Sequence, residues 1–348
     1  MDHVAPAASV QTADAQVKVR RWVQEEGIRH FYDVGCGVCH QVMIEECLAS
    51  PGDIILGSDS HATAYGAVGA FGTGMGTGDI ALALASGRTW LRVPETLRVC
   101  VRGRFRPRVS AKDLSLYLCG KLGLDGAAYR AVEFHGVEWL SLDGRITLCS
   151  MSTELGAKAG LVPPLGLADA HLAGAHWLDA DPTATYAETI EVDLENLVPQ
   201  VSVPPEVDRV CPAADLGEVR VDQVFIGTCT NGRLEDLRAA AGILKGKRIA
   251  AGLRLLVIPA SHRVLKDAVA DGTLAALLES GATIGTPGCG PCIGRHMGVI
   301  GAGEVCFSTA NRNFRGRMGS PEGQVYLGSP ETAAATALTG FITDPTQL

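Results

Sequence analysis

The chain has 348 residues, which at roughly 100–200 residues per domain suggests two or three domains. Hydrophobic residues make up 47% and aromatics only 5%, with 42 glycines, a balance that suits closely packed α/β layers better than an aromatic-rich β sandwich. A formal charge of −8 argues against a general phosphate-backbone binder, so no nucleic acid partner is expected, yet a few local arginines could still hold a small anion. The opening residues Met1-Asp2-His3-Val4-Ala5-Pro6 lack a basic stretch followed by an apolar core. No apolar run approaches the ~20 residues of a membrane helix. A soluble, cytoplasmic protein without a membrane partner is the expectation.

In chain order, residues 15–27 predict an amphipathic helix leading to a short strand at 31–34. Residues 53–57 form a short apolar run of the kind buried in parallel sheets. A glycine-spaced stretch from Gly66 to Gly78 follows, without the strand–GxGxxG–helix context of a phosphate loop, and is expected to serve close helix packing. Residues 93–103 alternate as a half-exposed strand does, 111–122 predict a helix, and short strands are expected around 133–136 and 146–149. The Pro-rich, aperiodic residues 197–218 suggest a linker. Beyond it come a strand at 224–226, a helix at 234–244, a strand at 253–258 and a Ser261-capped helix to about 270. Short apolar runs at 282–284 and 305–307 complete a βαβ pattern and imply a parallel sheet.

Ligands of open parallel sheets sit beyond the carboxyl ends of the strands. Here those ends carry Cys229 after the first strand of the last third, the pair Cys289 and Cys292 after 282–284, and Arg312 and Arg317 after 305–307. Cys229 lies just before a helix, whose positive end would favour a thiolate. Three thiolates suit an iron–sulfur cluster with one iron left open, and paired arginines suit carboxylates. The spacing leaves two alternatives open: zinc with His296 as a fourth ligand, or a redox dithiol at Cys289-Gly290-Pro291-Cys292. Cys36 and Cys39 form a second CxxC without a matching pair. Cys47, Cys100, Cys119, Cys149, Cys211 and Cys306 are expected to be packed thiols.

The segments Gly-Ser-Asp-Ser-His-Ala-Thr (57–63), Gly-Thr-Cys-Thr-Asn-Gly-Arg (227–233), Thr-Pro-Gly-Cys-Gly-Pro-Cys-Ile-Gly (286–294) and Asn-Arg-Asn-Phe-Arg-Gly-Arg (311–317) closely resemble the aconitase superfamily. So do Gly-Val-Cys-His-Gln (37–41) and Val-Glu-Phe-His-Gly (132–136), in order along essentially the whole chain. Their style is similar to the two-subunit branch, the large subunits of 3-isopropylmalate dehydratase and homoaconitase. The resemblance implies an α/β fold of three-layer α/β/α domains with mainly parallel sheets and a cluster site at the domain cleft. Expected domains are 1–92, 93–200 and 221–348, with a linker at 201–220. It further implies a [4Fe-4S] cluster on Cys229, Cys289 and Cys292. His3, oriented by Asp2, would protonate the departing hydroxyl. Asp59 and His61 match the active-site Asp-Ser-His motif around Ser60, with Glu154 near His61. His40 matches a further active-site histidine, and Arg312 and Arg317 the carboxylate-binding arginines.

The implied activity is that of a hydro-lyase, isomerising a 2-hydroxy di- or tricarboxylate by dehydration and rehydration. 3-Isopropylmalate is the first substrate expected, homocitrate and homoaconitate the next, and dimethylmalate-type acids a third class. Nothing after Arg317 resembles the family's small swivelling domain, which carries the catalytic serine, so a separate small subunit is the expected partner. The chain departs from the pattern in lacking the segment that precedes the family's Asp-His pair, in Ser150 where asparagine is usual, and in Ala62 where threonine is common. These departures motivate the alternative of a non-catalytic scaffold or iron–sulfur sensor.

Overall fold

Ser9 starts the first helix earlier than its apolar pattern predicts. Its hydroxyl accepts the Thr12 N–H at 3.2 Å, and α1 runs Val10–Glu25. The expected strand at 31–34 is absent. There the Asp33 carboxylate accepts the Val34 N–H at 2.6 Å and pairs with Arg20 at 2.6 Å, so a side chain takes the backbone donor that a ladder would need. A short helix, α2, follows at Cys39–Glu45. The computed structural model describes residues 1–167 and 178–348. They form two compact units: residues 1–42, 201–206 and 212–348 in one, and 43–200 with 207–211 in the other.

The second unit, continuous apart from residues 207–211 and called the continuous unit, begins with β1 (Ile54–Gly57) and β2 (Phe71–Gly74), paired in parallel across a 3-10 segment at Ser60–Val68. Ile54 is 67% exposed, so β1 is not the buried strand its apolar run suggests. A Cβ on Gly66 would lie 1.6 Å from the Gly160 carbonyl oxygen, which is why this crossing tolerates only hydrogen there. The rest of the glycine-spaced stretch supplies β2 and the start of α3 (Thr77–Ser86). Next come β3 (Thr96–Arg102), α4 (Ala111–Leu122), β4 (Ala131–His135), α5 (Leu142–Met151), β5 (Ala159–Leu161) and β6 (Glu188–Asp193). The four strands form an all-parallel sheet in the order β5-β4-β3-β6. The helix at 111–122 is as its sequence predicts, opened by a reciprocal cap between Ser110 and Asp113. The expected strand at 146–149 is instead the interior of α5. Residues 144–151 are all buried, so the helix shows no polar stripe to reveal its period.

Two short strands, β7 (Gln200–Ser202) and β8 (Val210–Pro212), lie in the linker region. The discontinuous unit then builds β9 (Gln223–Ile226), α6 (Thr228–Asn231), α7 (Leu234–Leu244), β10 (Arg254–Val257), α8 (His262–Ala270), α9 (Thr273–Ser280), β11 (Thr283–Ile284), β12 (Val305–Ser308), β13 (Gln324–Leu327) and α10 (Pro330–Thr339). Five strands run parallel in the order β11-β10-β9-β12-β13, and Ser202 of β7 pairs antiparallel with Leu327. Val224, Ile226, Leu237, Val257 and Leu277 sit fully buried in its core. Each such side chain contributes roughly 1.5–3 kcal/mol through removal from water. The chain leaves β9 toward β10 on one side, and β12 packs on the other. Strand order therefore reverses between β9 and β12, and the carboxyl ends of strands at such a reversal are where open parallel sheets bind ligands.

Candidate functional site

The loop after β9 lies at that reversal. Thr228 adopts φ 85° with its side chain buried, a conformation costly for a β-branched residue. Three neighbours secure the loop. The Thr309 hydroxyl accepts the Gly227 N–H at 3.0 Å. Arg233, wholly removed from solvent, donates to the Cys229 carbonyl at 2.7 Å and also to that of Thr230. Asp236 holds Asn231 and the Arg233 N–H, both at 2.9 Å. Cys229 sits within the single turn α6, and the longer α7 starts only at Leu234. Its sulfur is thus not placed by a long helix dipole but receives the Asn311 amide at 3.5 Å. Asn311 in turn accepts the Thr230 hydroxyl.

The second cysteine loop follows β11. Gly288 has φ 152° and Gly290 φ 52°, and a Cβ on Gly290 would lie 2.1 Å from Ile258. The chain can therefore turn tightly enough to bring both Cys289 and Cys292 to a nearly closed position, 8% and 7% exposed. Cys292 receives an Arg317 guanidinium N–H at 3.8 Å, and the same guanidinium stands 5.4 Å from the Phe314 ring. The buried Nε of Arg317 has no hydrogen-bond partner. Arg312 is half-buried beside it in sequence.

Asp2 and His3 join this loop despite their position at the start of the chain. The Asp2 carbonyl accepts the Cys289 N–H at 3.1 Å. His3 Nδ1 lies 2.9 Å from the Asp2 carboxylate, and His3 Nε2 lies 3.6 Å from the Cys289 sulfur. The other Asp2 oxygen accepts the Cys39 N–H at 2.9 Å. Burial opposes ionisation of Asp2, but His3 and Cys39 outweigh it and hold the carboxyl well below the usual carboxylate range. His40 is buried, its Nδ1 3.7 Å from the Cys39 sulfur.

A second group lies in the continuous unit. Asp59 caps the 3-10 segment by accepting the His61 N–H at 2.8 Å. The His61 ring reaches Asp59 at 3.3 Å through Nδ1 and Glu154 at 2.9 Å through Nε2. Burial works against the imidazolium, yet the two carboxylates prevail and raise the His61 pKa. The Ser60 hydroxyl lies 3.4 Å from the same ring, and the Ser60 carbonyl accepts the Thr153 hydroxyl at 2.9 Å, which ties the two motifs together. Ser150 is fully buried, and its carbonyl accepts the Thr63 hydroxyl at 3.4 Å.

The candidates thus fall into two groups. Asp2, His3, His40, Cys229, Cys289, Cys292, Arg312 and Arg317 belong to the discontinuous unit, and Asp59, Ser60, His61 and Glu154 to the other. Sequence reasoning passed over Asn311 and Arg233, whose signal was present in the same motifs that carry Cys229 and Arg312. Of the six thiols expected to be packed, Cys119, Cys149 and Cys306 are buried, with burial pushing Cys306 up to about 12. Cys100 and Cys211 are half-buried, and Cys47 is exposed, turned outward at φ 54°.

A profile of the aconitase family (aconitate hydratase) matches residues 3–217 and 211–340. The 3-isopropylmalate dehydratase large subunit of Herpetosiphon aurantiacus is 58% identical over 99% of this chain and 82% of its own length. The homoaconitase large subunit of Thermus thermophilus is 59% identical over 100% of this chain and 84% of its own. The chain belongs to the aconitase family. A solved aconitase X from Thermococcus kodakaraensis, 16% identical, superposes with a TM-score of 0.53 over 88% of this chain and 72% of that one, a likeness of fold.

Membership of the aconitase family directs attention to the three thiols. Ligands of a single zinc ion stand about 4 Å or less from one another. Among the described residues, the one such His, Cys or carboxylate group within 4.8 Å is Asp2, His3 and Cys289, without Cys229 or Cys292. His296, the candidate fourth zinc ligand, instead lies 2.7 Å from the Pro6 carbonyl. Separated thiols, each with a nitrogen group beside its sulfur, fit a multi-iron cluster better than one ion. Among the described residues, no helix is long and apolar enough to cross a membrane.

Proposed function

We propose that this aconitase-family chain is the large subunit of a hydro-lyase acting on a 2-hydroxy dicarboxylate or tricarboxylate, with 3-isopropylmalate the first candidate substrate and homocitrate, whose dehydrated form is homoaconitate, the second. The observation that carries this reading is 58–59% identity, over essentially the whole chain, to one large subunit named for each of these activities. The finer choice between the two acids rests with a small subunit that would complete the enzyme.

Cys229, Cys289 and Cys292 would hold a [4Fe-4S] cluster. When bound, the cluster supplies a Lewis acid for the substrate's hydroxyl and carboxylate. His3 supplies the proton for the departing hydroxyl, since hydroxide is a poor leaving group. Asp2 keeps Nδ1 of His3 occupied, which leaves Nε2 as the nitrogen facing the cysteine loop. Arg317 offers its guanidinium to a substrate carboxylate, with Arg312 as the second cation. Asp59 and Glu154 hydrogen-bond the two ring nitrogens of His61 and favour its protonated form.

The test is a paired assay. The chain, purified and reconstituted without oxygen, is mixed with the small subunit of either relative and given each hydroxy acid, and the unsaturated acid is followed by its ultraviolet absorbance. Turnover that requires the small subunit supports the proposal. A fully loaded four-iron protein that dehydrates neither acid with either small subunit overturns it.

A further inference from the structure

The continuous unit contains a cavity of about 240 Å³ that none of these roles uses. Asp53, Glu133 and His135 contribute polar lining, and Phe71, Leu161 and Pro163 contribute apolar lining. Glu133 and His135 alternate on one face of β4, at its carboxyl end, next to the carboxyl end of β5. That edge is where an open parallel sheet binds its ligands. Glu154 lies on the turn that precedes β5, at the opposite end of the same strand, so the cavity is separate from the His61 group.

The polar wall is already assembled. His135 Nε2 lies 3.1 Å from the Glu133 carboxylate, and the His135 ring meets Tyr186 edge-on at 6.0 Å. Burial and the nearby Glu133 carboxylate raise the Tyr186 pKa, and the Arg98 guanidinium stands 4.4 Å from the Tyr186 ring. Arg98 is also the register partner of Glu133 across β3 and β4. Glu133 and His135 are each about a quarter exposed, 24% and 26%, so a ligand can reach them. Among the described residues that line the cavity there are two carboxylates and neither a lysine nor an arginine. An apolar recess with a fixed carboxylate at one end discriminates by charge at that end and by shape elsewhere.

We propose that this cavity is a binding site for a small aliphatic ammonium compound, with its ammonium group on Glu133 and its hydrocarbon body against Phe71, Leu161 and Pro163. The ammonium can belong to a free amine or to a lysine side chain of a peptide, and these share the same contact. The site does not rest on the proposed hydro-lyase activity and can be tested without a cluster or a small subunit.

Calorimetric titration of the full chain with isoamylamine, isoamyl alcohol and isovalerate separates charge from shape, and N-acetyl-lysine amide provides the peptide arm. Isoamylamine is expected to saturate one site per chain, at least about tenfold more tightly than the alcohol, with no binding of isovalerate. Glu133→Gln should remove the preference of amine over alcohol, and Leu161→Trp, which fills the recess, should abolish binding of both. Tighter binding of the lysine amide than of isoamylamine assigns the site to a peptide, and the reverse to a free amine. Equal binding of amine and alcohol, or no saturable binding of any of the four compounds, overturns the proposal. The wild-type comparison decides this even where a variant fails to fold.

Discussion

Arg233 grips the carbonyl of Cys229 at 2.7 Å from a position with no solvent access. A buried guanidinium thereby fixes the backbone of the residue proposed to bind iron. Arg233→Met would leave the Cys229 and Thr230 carbonyls without this donor, a loss of about 3–5 kcal/mol of the kind seen when one member of a buried polar set is removed. Chemical denaturation should show a lower midpoint, and reconstituted protein should hold less iron per chain. Unchanged iron content together with an unchanged midpoint would show that the loop holds itself.

Asn311 bridges the Thr230 hydroxyl and the Cys229 sulfur. Asn311→Ala should cost about 1–2 kcal/mol in stability, the range for a lost buried hydrogen bond. Its more specific effect is on the sulfur. Without the amide N–H, a bound cluster should bleach faster in air than in the wild-type protein, read from the decay of visible absorbance. Equal decay rates would count against a role for the amide at that thiolate.

His61 titrates under the opposing influences of burial and two carboxylates, and the carboxylates win. Its folded pKa lies above its ordinary value, so the stabilisation from the imidazolium is complete below that value and is lost as pH rises through the raised one. Glu154→Gln should lower the His61 pKa, observed by NMR of histidine-labelled protein. The pH dependence of the denaturation midpoint above the ordinary imidazole value should flatten with it. An unmoved His61 titration would mean that the 2.9 Å contact does not govern its charge.

Asp113 behaves in the reverse chemical sense. Burial pushes its carboxyl up to about 6, against the hydrogen bonds from Gln200 and Ser110. The protonated form is therefore favoured in the folded protein between its ordinary value of 3.8 and about 6. Stability from this group is greatest below that window and falls by about 3 kcal/mol as pH rises through it. Asp113→Asn should remove this slope from the plot of stability against pH between 4 and 6, at the cost of part of the α4 cap.

Gly66→Ala should be severe. Its Cβ would fall 1.6 Å from the Gly160 oxygen, so two backbones would have to separate. A loss of at least about 3 kcal/mol follows, the upper range for overpacking. Limited proteolysis should show it as rapid cleavage within residues 43–200. Wild-type resistance in this variant would place the contact elsewhere.

Elements with a capping residue and a single apolar face could be read from sequence. α4 and α7 begin and end where their patterns place them, and Ser261 opens α8 as expected. α5 could not, because burial on every side erases the period that separates helix from strand. α10 escaped for a related reason, its residues 332–337 being small and all buried. The cysteine and arginine positions were visible as strand ends. Arg233 and Asn311 lie in the same motifs as Cys229 and Arg312, but spacing does not show that they bond a carbonyl and a sulfur. The pairing of Asp2 with the cysteine loop came from resemblance alone, across 286 positions between His3 and Cys289.

That separation has a consequence for how the protein is made. At about 5–20 residues per second, tens of seconds of synthesis pass between the emergence of His3 and that of its sulfur neighbour. During that interval residues 43–200 have all their own partners and can condense, while the first 42 residues wait for theirs. The pocket proposed to hold the cluster is therefore among the last parts of the molecule to close. Its cysteines remain open to metal delivery until the chain is nearly complete.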